Sequence, residues 1–197
     1  MRILNPRHFI AKITQTLQKG GVVLMPFDTS YGLACDAKNK KAVEKIYQIK
    51  QRSLNKPLSV VMRDLKMIEK YAKITKEQKK ILKEKLPGLF TFIVELKKDH
   101  PVMRTIDNNN LQKKTIAVRL PDFQLTKKIS QNFAYPYTAT SANLSSQPNC
   151  YSIKAVLEQI KNKKNLLDLI IDFGELPHKK PSTIIDLTGN QEKIIRK

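Results

Sequence analysis

Tryptophan is absent from this chain, and only 7% of its 197 residues are aromatic, too few for the stacking platforms on which single-stranded nucleic acids are held. Cysteine is nearly absent. Cys35 and Cys150 lie far apart and form no CxxC or Cys/His spacing, which argues against a disulfide framework and a structural zinc site. Free thiols fit a reducing compartment. The three histidines, His8, His100 and His178, fall in a helical stretch, a polar loop and a Pro-flanked loop, so no Ser-His-Asp arrangement is legible and no spacing signals a metal held by side chains. No apolar run approaches the roughly 18 residues that span a bilayer, and the opening MRILNPRHFIAKITQTLQKG lacks the apolar stretch and cleavage site of a signal peptide. A cytoplasmic location is expected, with no membrane association. Glycine-rich phosphate signatures are missing too. Neither GxxxxGK[ST] nor GxGxxG occurs, so a P-loop and a Rossmann dinucleotide site are both unsupported.

Negative charge is scarce: 17 Asp and Glu stand against 37 Lys and Arg, a net charge of +20. Such a field favours anionic partners, nucleic acid or a polyphosphate substrate. Seven of the basic residues are arginine, at positions 2, 7, 52, 63, 104, 119 and 196, and 30 are lysine, spread over predicted helix surfaces and loops. Composition therefore leaves two readings open, a dedicated nucleic-acid face or lysines as solvated surface filler. The length suits one domain spanning residues 1–197.

Apolar periodicity predicts a first helix from Asn5-Pro6 to Lys19, with Phe9, Ile10, Ile13 and Leu17 on one face, Asn5 as N-cap and Gly20 as stop. Residues 21–26 are apolar throughout, as in a strand covered on both faces. Residues 27–39 read as a loop leading into a helix that carries Ala42, Val43, Ile46 and Ile49. A strand at 58–62 follows, then a helix capped by Asp64 and another opened by the capping box Thr75 to Gln78. Pro87-Gly88 turns the chain into a strand at 89–96, and the polar stretch 97–114 reads as a surface loop. Later strands are expected at 115–120, 137–140, 168–172, 182–187 and 192–195, with helices at 122–133 and 152–161 capped by Asp122 and Ser152. This order implies an α/β fold: an open, twisted, mixed sheet with helices on its faces and a basic crevice at the strand ends, where such sheets bind ligands.

Four polar clusters fall at or after strand ends: Asp28-Thr-Ser-Tyr-Gly-Leu33, Lys50-Gln-Arg52 with Lys56-Pro57, Ala139-Thr-Ser-Ala-Asn143, and Pro181-Ser-Thr183. Lys50 and Arg52, two apart, can face one phosphate chain only if the helix ends near Lys50, and Ser53, Asn55 and Pro57 supply that ending. A basic helix end that complements its own dipole is the alternative. Thr140, Ser141 and Asn143 offer neutral donors for phosphate and ribose oxygens, or a side-chain-capped turn. Arg119 follows the apolar run Ile116-Ala-Val118 and precedes Pro121. Its guanidinium should project at the strand end, to grip a carboxylate or to pair with an acid such as Asp122.

Taken in order, these segments resemble the YrdC/TsaC family, the threonylcarbamoyl-AMP synthases. Pro26-Phe-Asp-Thr-Ser-Tyr-Gly-Leu33, Lys50-Gln-Arg52, Lys56-Pro-Leu58, Pro87-Gly-Leu-Phe-Thr91, Arg119-Leu-Pro121, Ser141-Ala-Asn143 and Pro181-Ser-Thr-Ile-Ile-Asp186 match seven family motifs over almost the whole chain. Phe27 departs from the usual Thr at the rim of the threonine pocket. The resemblance implies a YrdC-like fold in its short, single-domain form. It also implies a nucleotidyltransferase that makes threonylcarbamoyl-AMP and pyrophosphate from L-threonine, bicarbonate and ATP, for threonylcarbamoyladenosine in tRNA. By the same resemblance Lys50, Arg52, Ser141, Asn143 and Arg196 hold ATP, Lys50 and Arg52 being catalytic, while Thr29, Arg119 and Ser182 hold threonine. Mg²⁺ is expected on the triphosphate, bound mainly through phosphate and water. Weak electrostatic contact with tRNA and hand-off to a threonylcarbamoyl transferase are the implied partnerships. The competing reading is a non-catalytic RNA- or tRNA-binding module that uses the same basic crevice.

Overall fold

The computed structural model describes residues 6–54, 56–97, 115–189 and 191–197. The first helix, α1 (Pro6–Gln18), buries Ile10, Ile13 and Leu17 and ends where Gly20 turns with φ +74°, a conformation that glycine adopts without strain. The Asn5 cap expected for it lies outside the described residues. Strand β1 (Val23–Pro26) is buried at every position. Within the stretch expected to be a loop, Tyr31–Ala34 instead form β2, a hairpin partner of β1. Tyr-Gly-Leu-Ala carries no alternation to mark a strand, because this one too is buried on both faces.

Helix α2 (Lys40–Lys50) starts where the Asn39 side chain accepts from the Ala42 amide. It stops at Gln51, whose φ of 46° and ψ of 45° are left-handed. Helix α3 (Leu65–Tyr71) is capped by Asp64, and α4 (Lys76–Lys85) by the expected box of Thr75 and Gln78. Helix α5 (Gln124–Asn132) departs from expectation. Its N-cap is Phe123, with no side-chain hydrogen bond, and Asp122 instead pairs with Lys127 at 2.6 Å. Ser152 caps α6 (Ile153–Gln159) as expected, and a 3₁₀ turn over Lys161–Leu166 follows.

The remaining strands are β3 (Ser59–Val61), β4 (Ala72–Lys73), β5 (Phe90–Leu96), β6 (Thr115–Arg119), β7 (Tyr137–Ser141), β8 (Leu169–Ile170), β9 (Thr183–Asp186) and β10 (Lys193–Arg196). They form one mixed sheet in the order β10-β9-β5-β6-β3-β7-β2-β1-β8, with β4 on β5. The pairs β1/β8, β3/β6 and β5/β9 are parallel and the others antiparallel.

Three apolar clusters show how the faces are covered. On one face α2 and α6 pack over Leu24 and Leu33, and α3 and α4 pack over Val60, Phe92, Val94, Ile116 and Val118. On the other, α1 and α5 pack over Val23, Met25, Val61 and Tyr137. That second layer does not extend over β5, β6 and β9, and this gap positions the site.

Candidate active site

Strand residues alternate between faces. Phe92, Val118 and Ile185 therefore enter the core beneath α3 and α4, while Thr91, Arg119 and Ile184, each one position away, line a cavity of about 380 Å³. Ser59, Ala139 and Ser141 continue its floor. Thr29 and Ser30 from the β1–β2 turn, Arg52 and Lys56 from the loop after α2, Ser182 just before β9 and Arg196 from β10 form the walls. The volume is that of a small-molecule site. Sequence reasoning put the crevice at the strand ends; it lies across the uncovered sheet face instead, with the strand-end loops as its rim. A larger cavity of about 720 Å³ opens between α3 and α5, beside Val61, Met62, Leu86 and Leu120. It holds none of the eight predicted site residues.

Six of those eight, Thr29, Arg52, Arg119, Ser141, Ser182 and Arg196, share the smaller cavity although they come from widely separated segments. The other two, Lys50 and Asn143, stand behind Ser141 rather than on the cavity wall. Lys50 is 2% exposed. Its ammonium donates to the Ser141 carbonyl, to the Asn143 carbonyl at 3.0 Å and to Asn143 Oδ1 at 2.9 Å. Asn143 Oδ1 also accepts from the Ser141 hydroxyl. Burial, with a smaller contribution from Arg52, lowers the Lys50 ammonium to about 7. The helix does end at Lys50, as the two-residue spacing requires, and Arg52 turns back to donate from Nε to the Lys56 carbonyl at 3.0 Å and from Nη2 to that of Pro57 at 3.1 Å.

Arg119 is nearly as buried, and its partner is Asp28 rather than the Asp122 considered above. Arg119 Nη2 donates to Asp28 Oδ1 at 3.0 Å and to Oδ2 at 2.9 Å. The Arg119 Nε is buried with no acceptor among the described residues. Across the cavity, Arg196 donates to the Ser182 carbonyl from Nη2 at 2.9 Å and from Nε at 3.2 Å. The Ser182 hydroxyl lies 2.8 Å from that of Thr91. Burial and the nearby Arg119 charge both lower the Arg196 value.

Asp28 and Thr91 had not been singled out as site residues, although both lie within the quoted motifs. Asp28 is the one acid in the segment from Pro26 to Leu33, a signal in a chain so poor in acids. At the hairpin, Phe27 packs against Gly32: a Cβ at Gly32 would stand 2.5 Å from the Phe27 ring and 3.0 Å from the Thr140 carbonyl. A ring at position 27 thus requires glycine at 32.

The chain is a mixed-sheet α/β protein whose open sheet face carries a polar, arginine-lined cavity. It belongs to the Sua5/YciO/YrdC family, described under telomere recombination, whose model matches residues 15–197. It is 36% identical over 188 residues to a putative threonylcarbamoyl-AMP synthase of Methanocaldococcus jannaschii, covering 93% of this chain and 84% of that protein. It is 30% identical over 194 residues to the uncharacterized protein YciO of Escherichia coli, covering 98% and 90%. Among solved structures, P. abyssi Sua5 complexed with L-threonine superposes with a TM-score of 0.85 at 30% identity, covering 99% of this chain and 55% of that one. The chain thus spans little more than half the length of that Sua5. Among the described residues, no helix is long and apolar enough to cross a membrane.

Proposed function

We propose that this chain is a threonylcarbamoyl-AMP synthase that combines L-threonine, bicarbonate and ATP and serves tRNA threonylcarbamoyladenosine synthesis. The observation that carries this reading is the convergence of Thr29, Arg52, Arg119, Ser141, Ser182 and Arg196 on one cavity. The synthase names borne by relatives over nearly their whole length support it. Threonine and bicarbonate condense to a carbamate and water. A carbamate oxygen then forms a bond to the α-phosphorus of ATP, the bond from that phosphorus to the β-phosphate oxygen breaks, and pyrophosphate leaves. Such a nucleotidyl transfer asks the protein for alignment and charge neutralisation rather than covalent chemistry.

In this reading Thr29, Arg119 and Ser182 hold threonine, and Arg52, Ser141 and Arg196 hold the nucleotide. Lys50 and Asn143 belong to the nucleotide set from behind Ser141, and Lys50 meets a phosphate by exchanging one of its three oxygen acceptors. Mg²⁺ arrives on the triphosphate, whose oxygens and water supply most of its ligands. The labile product passes to a threonylcarbamoyl transferase, and contact with tRNA is electrostatic.

The test is pyrophosphate release with each substrate withheld in turn. Turnover should require both threonine and bicarbonate. Equal rates without bicarbonate would point to an ordinary amino-acid adenylating enzyme, and no turnover with tight, salt-resistant tRNA binding would promote the RNA-binding module.

A further inference from the structure

The Asp28–Arg119 pair has a geometry that a purely structural ion pair does not favour. Arginine and a carboxylate bind most strongly through a fork, two nitrogens on two oxygens. Here both Asp28 oxygens meet the single nitrogen Nη2, at 3.0 and 2.9 Å. Nε is left without an acceptor among the described residues, in a side chain only 7% exposed. A buried N–H without a partner is destabilising, and so is burying an ion pair that does not use its full complement of hydrogen bonds.

Arg119 also sits where a ligand belongs, with the buried Asp28 behind it. Arg119 lines the main cavity and a small recess beside it, bounded by Phe27, Thr29, Gly32 and Thr140. Asp28 lies in the tight β1–β2 turn, closed by a Phe27 amide to Ser30 carbonyl bond of 3.0 Å. Its carboxylate therefore approaches Arg119 from a fixed hairpin. Arg196, whose guanidinium is close enough to feel the Arg119 charge, repels it rather than orienting it.

We propose that Asp28 is a positioning residue: by holding Arg119 through Nη2 alone, it fixes the plane of the guanidinium and leaves donors free for the carboxylate of the amino-acid substrate. This rests on the synthase reading above, and on Arg119 as the threonine carboxylate ligand. Asp28 lines neither the cavity nor the recess beside it. Its removal should act on amino-acid recognition and leave the ATP requirement in place.

The experiment compares Asp28→Asn with the wild type by pyrophosphate release, titrating L-threonine and ATP separately and adding L-threoninol, which lacks the carboxylate, as competitor. The wild type must first show its dependence on threonine; if it does not, the synthase reading fails, and that failure is distinct from anything the variant does. Given that dependence, Asp28→Asn should raise the apparent constant for threonine about 10-fold or more, with those for ATP and threoninol held within about twofold. An equal rise for threonine and threoninol would mean a merely structural role and overturn the proposal, as would an unchanged threonine constant. If Asp28→Asn does not fold, Asp28→Glu keeps the charge and displaces the carboxylate by one methylene. A selective rise in the threonine constant then supports the proposal, and no change refutes it.

Discussion

Replacing Lys50 by methionine keeps an unbranched side chain one atom shorter and removes its charge. Burial, reinforced by Arg52, lowers the ammonium from 10.5 in water to about 7 in the folded chain. Between those values the unfolded chain binds more protons than the folded one. Stability therefore rises as pH increases from about 7 towards 10.5, and the penalty is fully present below that window. A gap of about 3.5 units corresponds to roughly 4–5 kcal/mol. Against this, methionine leaves the Ser141 and Asn143 carbonyls without the Lys50 donor, at about 1–3 kcal/mol each; Asn143 Oδ1 keeps the Ser141 hydroxyl. The two effects nearly cancel, so Lys50→Met should lie within about 2 kcal/mol of the wild type at pH 7. Its rate of pyrophosphate release should nevertheless fall about 10-fold or more. Urea unfolding at pH 7 and pH 9 measures the first part: the wild type should gain about 2 kcal/mol relative to the variant over that interval. A variant that loses more than about 2 kcal/mol at pH 7, with a pH dependence parallel to the wild type, would refute the reasoning and make Lys50 a structural tie.

Other outcomes follow from the same geometry. Arg52→Ala should slow turnover about 10-fold or more, because a charge-assisted phosphate contact is typically worth roughly 1.5–3 kcal/mol; alanine at Lys83, Lys161 and Lys163 should leave the rate unchanged, and equal losses would defeat a localised site. Arg119→Lys should raise the threonine requirement far more than the ATP requirement, and Ser141→Ala should do the reverse, both read from separate titrations. Gly32→Ala would drive a Cβ to 2.5 Å from the Phe27 ring, so a loss of about 1–3 kcal/mol is expected in thermal or urea unfolding. In a Phe27→Ala background, itself destabilised because the ring is buried, the further cost of Gly32→Ala should shrink, and a Gly32→Ala variant as stable as wild type would place the ring elsewhere.

Much of the architecture was legible because local signals agreed with the final fold. The Asp64, Ser152 and Thr75–Gln78 caps are where their spacing put them, since a cap is a bond within a few residues and depends little on the rest of the chain. The end of α2 at Lys50 was equally local. Strand β2 was missed because Tyr31–Ala34 is short and buried on both sides, which removes the alternation that marks a strand. Asp122 was misassigned as a cap because Lys127 competes for its carboxylate.

Sequence by itself determined the helices and most of the strands, and it marked the segments whose residues meet in the cavity, since each motif is a short run with its own chemistry. Which face of the sheet stays open was decided only by the tertiary structure: α1 and α5 cover β1 and β7 but not β5, β6 and β9, and no local pattern encodes where a packing layer stops. The partners of the buried charges were likewise invisible. Arg119 meets Asp28 across 91 positions and Lys50 meets Asn143 across 93: β3 and β7 separate β6 from β2 in the sheet, so it is the β1–β2 turn that reaches Arg119, while the turn after β7 meets the end of α2. Charges withdrawn from water must find partners wherever the fold supplies them, so the sequence could show which residues are basic while leaving their partners to the folded chain.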